Sequence, residues 1–127
     1  MKKIDIKNQL LLLITGLFLM TACEYAYIEP EVIPLPDEVS FSTHIVPIFN
    51  QSCNYSPCHN LGGEPPDLTP ANAYVSLFAL NQIDTGNPEE SLLYKIITGG
   101  GTMQKYITTP ADADLILKWI QQGANNN

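Results

Sequence analysis

The chemistry-bearing residues of this sequence gather in one segment, Cys53-Asn54-Tyr55-Ser56-Pro57-Cys58-His59. Two thiols followed at once by an imidazole can hold a haem covalently. The thiols add across its two vinyl groups as thioethers, and the histidine ligates the iron from one face. That chemistry needs Cys58 and His59 adjacent, because one local turn must present both a thioether and the axial nitrogen. Four residues separate the cysteines, where two are usual. The run from Asn54 to Pro57 forms turns readily, so the extra residues can bulge outward while both sulfurs still reach the ring.

Three other chemistries compete for the same residues. Cys53 and Cys58 can close a local disulfide, as in many exported proteins, with His59 a bystander. A zinc site would need a fourth ligand, for which the chain offers only His44 or acids. A reactive cysteine finds no basic residue near the motif to activate it.

The rest of the chain limits the partners. Its 127 residues suit one domain, and six basic residues stand against thirteen acids. That balance argues against nucleic-acid binding, which rests on basic groups neutralising phosphates. With 45% apolar and only 15% charged residues, the chain is no disordered acidic tail.

Lys2, Lys3 and Lys7 precede an apolar stretch from Leu10 to Met20. The stretch is shorter than the ~20 residues that a spanning helix needs, and has the form of a secretory signal. It ends Leu19-Met20-Thr21-Ala22-Cys23, which resembles the lipobox of bacterial lipoproteins. That resemblance implies a signal peptide over 1–22 and a lipidated Cys23 as the mature N-terminus. Met20 stands where leucine is usual, and Asp5 is unusual in a basic leader; an ordinary cleaved signal would leave Cys23 an unmodified thiol. Cleavage before Cys23 leaves three lysines against twelve acids, a formal charge of −9. Residues 23–39 then read as an anchor and tether, since Pro30, Pro34 and Pro36 oppose a helix and favour extended chain.

From residue 40 to 127 the apolar spacing reads as four short helices, an all-α class. Phe41, Ile45, Ile48 and Phe49 share one face, with the start expected near Thr43 or His44 because Pro47 fits only a first turn. Thr69-Pro70 opens a second helix carrying Tyr74, Leu77 and Phe78. Asn87-Pro88 with Glu90 opens a third through Leu92, Leu93, Ile96 and Ile97, which stops at Gly99-Gly100-Gly101. Thr109-Pro110 with Asp112 opens the fourth, whose face is Leu115, Ile116, Trp119 and Ile120 and which Gly123 ends. A core built from these faces alone is thin for such a length, so a bound group is expected to fill the centre.

These residues together resemble the small cytochrome c domains of bacterial lipoproteins. The likeness runs through Phe41 to Phe49, the Cys53–His59 motif and Pro65-Pro66-Asp67-Leu68. It continues through Asn87-Pro88 and Ser91, a late Met103, and a last helix with Lys118-Trp119-Ile120 and Gly123-Ala124. It implies a cytochrome c-like fold whose first and last helices cross beside one covalently bound haem c.

By the same resemblance, His59 and Met103 are the axial iron ligands, and a carbonyl of Pro65 or Pro66 holds the other imidazole nitrogen. Met103 is the sole methionine outside the leader and follows three glycines; its other reading is core filler. Many relatives have proline after this methionine, where Gln104 stands here, and His44 is the rival ligand. Tyr74, Tyr94, Tyr106 and Trp119 are candidates for the haem propionates or else core aromatics. An iron closed by histidine and methionine implies single-electron transfer rather than catalysis, and the acidic surface implies a redox partner with a basic docking face. A haem-free, disulfide-stabilised binding lipoprotein and a haem enzyme or sensor with open iron are the alternatives.

Overall fold

A computed structural model describes residues 34–127, together with Ile6, Lys7 and Gln9. Cys23, the lipobox and residues 24–33 lie outside the described residues. The contacts divide the chain into Met1–Ile33 and Pro34–Asn127, and the second unit is described below.

The unit is helical, as the spacing predicts. Its α-helices are α1 (Val46–Ser52), α2 (Ala73–Ala79), α3 (Leu92–Ile97) and α4 (Pro110–Gln121). A π-helical turn, Phe41–Ile45, runs directly into α1, and short 3-10 turns occupy Pro88–Glu90 and Gln104–Tyr106. Among the described residues there is no strand, and no helix is long and apolar enough to cross a membrane.

Three helix starts differ from the sequence expectation, each for a local reason. The first helical run begins at Phe41, with Ser40 as its cap, rather than at Thr43 or His44. In a regular α-helix the Pro47 ring would meet the carbonyl of Thr43; a π-helical turn is wider and gives the ring room. Thr69 does not cap α2, because its hydroxyl donates to Asp67 Oδ1 over 2.6 Å. Its carbonyl instead accepts from the Asn72 and Ala73 amides, and α2 starts at Ala73. The Asn87 capping box is likewise absent. Buried Ser91 accepts the Asp84 amide on Oγ at 2.8 Å, its extended backbone breaks the run, and α3 starts at Leu92.

Helix α4 begins as expected. Thr109 Oγ1 accepts from the Asp112 amide, and Asp112 accepts in return from the Thr109 amide at 3.0 Å. Gly123 follows its end at φ 94°, a left-handed conformation that glycine adopts without steric cost.

The core lies between the first helical run and α4. Trp119 is fully buried, its ring centroid 5.0 Å from Phe41, and Phe41 meets Phe49 and Tyr74 edge to face. The indole N–H donates to the Asn125 carbonyl at 2.9 Å, so burial leaves no polar atom unpaired. Each large apolar side chain buried here contributes roughly 1.5–3 kcal/mol.

The chain before residue 40 is part of this packing. Val39 is buried and donates its amide to Gln122 Oε1 at 2.9 Å, while Gln122 Nε2 donates to the Asp37 carbonyl. The last residues of the segment read as a tether are thus bound to the end of α4.

Candidate cofactor site

The end of α1, helix α3 and the loops beside them line an open cleft of about 290 Å³. Cys53, Cys58, His59, Pro66 and Met103 all line it, although fifty residues separate the first from the last. The remaining wall is mostly carbon, with Leu68 from one loop and Leu93, Ile96 and Ile97 from α3.

The end of α1 sets the two cysteines. The Phe49 carbonyl accepts from the amides of both Cys53 (2.8 Å) and Asn54 (2.7 Å), which stops the helix at Cys53. The loop then closes on itself, with the Cys58 amide donating to the Tyr55 carbonyl and the His59 amide to the Cys53 carbonyl at 3.1 Å. Tyr55, Ser56 and Pro57 are exposed while both cysteines are half-buried, and of these three only Ser56 is away from the cleft wall. Both thiols are free. Burial, reinforced by neighbouring Cys58, pushes the Cys53 thiol up to about 11, so it is neutral at physiological pH.

The loop after the motif orients the imidazole. His59 Nδ1 donates to the Glu64 carbonyl at 2.9 Å and faces the Pro66 carbonyl at 3.2 Å. Carbonyls only accept, so in the neutral ring the proton sits on Nδ1 and the lone pair on Nε2. Between the two prolines, Pro66 supplies an oxygen here; Pro65 neither bonds His59 nor lines the cleft. The Glu64 carbonyl is the shorter contact and has no sequence signature, because any residue carries a carbonyl.

Met103 comes to the cleft through a tight reversal after α3. Its amide donates to the Ile96 carbonyl at 2.9 Å. Gly99 and Gly100 take φ of 57° and 84°, and a Cβ on Gly101 would collide with the Ile96 backbone. The three glycines therefore hold a defined path for which glycine alone is suited.

His44 lies elsewhere: its Nδ1 accepts the Ser40 amide at 2.9 Å, inside the first helical turn, and it does not line the cleft. Trp119 is a core aromatic and Tyr74 packs partly buried against the core, its ring tilted 39° to that of Phe78 at 4.8 Å. Tyr106 lines the cleft, while Tyr94 borders a separate groove with Thr98, Gln104 and Asp114. Tyr55 and Gln82 also face the cleft, and sequence reasoning missed both as site residues. Tyr55 could have been inferred from its place between the cysteines; Gln82 carries no local signal. Among the described residues no three His, Cys, Asp or Glu side chains gather as an ion site.

No protein-family model, curated protein or solved structure matches this chain.

Proposed function

We propose that the chain is a single-haem c-type cytochrome of the bacterial cell envelope, a one-electron carrier whose residues 40–127 adopt a cytochrome c-like fold. The observation that carries this reading is the convergence of Cys53, Cys58, His59 and Met103 on one apolar cleft.

The donors fit haem c chemically. Two free thiols are available for thioether bonds, an imidazole offers Nε2, and a soft thioether lies on the same cleft. When bound, the haem would supply reversible one-electron chemistry, at a potential that a thioether ligand raises. Cys53 and Cys58 would hold it covalently, and His59 and Met103 would ligate its iron. The carbonyls on His59 Nδ1 fix the ring orientation and make Nε2 a stronger donor. Leu68, Leu93 and Ile96 give the cleft an apolar wall. With His59 and Met103 both ligating, the iron would have no free place for a substrate, which favours a carrier over an enzyme.

Cys23 would anchor the protein to a membrane by lipid after removal of residues 1–22, with the chain ahead of Asp37 as the tether. The exported charge of −9 suits a redox partner with a basic docking face, in a complex weakened by salt.

The test is mass spectrometry and a reduced-minus-oxidised absorption spectrum of protein matured with haem-attachment machinery. One added haem, no free thiol at Cys53 or Cys58, and sharp thioether-haem bands are expected. A Cys53–Cys58 disulfide under those conditions would replace this reading with the haem-free binding lipoprotein. Rapid carbon monoxide binding by the wild-type protein would replace it with an enzyme or sensor.

A further inference from the structure

We infer that Gly63 is a positioning residue for His59, acting by placing the Glu64 carbonyl as the main acceptor of the imidazole Nδ1 proton. The inference rests on the cytochrome reading only for its consequence; the clasp itself is a property of the protein chain.

The loop from Asn60 to Leu68 holds His59 at both ends. The Leu68 amide donates to the His59 carbonyl at 2.7 Å, and the ring donates from Nδ1 to Glu64 at 2.9 Å. Glu64 is placed by its own amide, which donates to the Cys58 carbonyl at 2.9 Å. That bond pulls residue 63 down onto the Cys58 peptide, and a Cβ at Gly63 would overlap the same Cys58 carbonyl oxygen. Backbone is on the other side of this contact, so no side-chain rotation relieves it. Gly62, with open space around its Cβ position, provides the turn through φ 79°, and Gly63 provides the close approach.

Glu64 is also chemically suited to the task. Its carbonyl belongs to the peptide before Pro65, a tertiary amide with no N–H of its own to compete locally. Pro65 thus contributes through the bond that precedes it, while Pro66 contributes its own, more distant oxygen. An imidazole sharing its proton with two carbonyls donates more strongly from Nε2 than one held by a single carbonyl. Gly63 would thereby tune the donor strength of His59 without touching a cofactor.

The experiment is nuclear magnetic resonance of the full chain under reducing conditions, with ¹⁵N in the histidine rings and ¹³C in the carbonyls. Coupling across the hydrogen bond from His59 Nδ1 to the Glu64 carbonyl is expected to exceed that to Pro66. Coupling to Pro66 alone would overturn the inference, and this measurement needs no variant. In Gly63→Ala, exchange of the Nδ1 proton should quicken by about tenfold, as for loss of one hydrogen bond. If the variant folds and its exchange is unchanged, Gly63 has no such role. Haem content, read separately by mass, reports on the cytochrome reading, so the two can fail independently.

Discussion

The amide of Met103 donates to the carbonyl of Ile96 across 2.9 Å, turning the chain back at the end of α3 and holding the thioether on the cleft wall. Gly101 lies between them, and only a residue without a Cβ fits against the Ile96 backbone. A backbone contact of this kind makes the methionine's position a property of the fold.

Gly101→Ala should therefore destabilise the domain by about 1–3 kcal/mol, as overpacking does, and displace Met103. Gly99→Ala meets open space and bears only the cost of its φ of 57°, about 1 kcal/mol. Urea denaturation of both variants checks the order; equal losses would show that Gly101 is not in contact.

In haem-loaded protein, Met103→Ala should abolish a weak far-red band of the oxidised form, lower the potential and allow carbon monoxide to bind. The haem should stay covalently attached. His44→Ala should do none of this, because its Nδ1 is engaged with the Ser40 amide outside the cleft. Loss of the band in His44→Ala would reassign the ligand.

Cys53 should be slow to alkylate in the haem-free chain. Its thiol is held at about 11 against 9.0 for an ordinary one, which leaves a thiolate fraction about 100-fold smaller at pH 8. The sign for stability follows. The unfolded thiol ionises first, so a contribution present below pH 9 is lost as pH rises towards 11. Iodoacetamide kinetics and alkaline denaturation check both, and Cys53→Ser should flatten the alkaline loss.

Asp67 should contribute to the acid limb. The Thr69 hydroxyl, then the Thr69 amide, hold its carboxyl below the ordinary 3.8. Its stabilising effect is complete above that value and fades as pH falls through the lower folded value. Asp67→Asn should make stability less dependent on pH in that range, as measured by thermal unfolding at a series of acidic pH values. An unchanged acid limb would show that Asp67 does not take part.

What the sequence determined by itself was local. The helical faces are periodic, so all four helices and most core residues, Trp119 and Phe49 among them, were legible from spacing. The α4 capping box was legible too, since its atoms lie within four consecutive residues. The Cys53–His59 segment was legible as a candidate site because two thiols and an imidazole stand within seven residues. Tertiary structure decided whatever depended on competition between partners. Thr69 and Asn87 look like caps, but Asp67 takes the Thr69 hydroxyl and Ser91 breaks the run after Asn87, moving both helix starts. It also decided that Glu64 and Pro66, rather than Pro65, face His59, because carbonyls are identical in every residue and only the path of the loop selects among them. Met103 reached the cysteines' cleft for the same reason: chain reversal at Gly101 brings it there, and that depends on the backbone of Ile96.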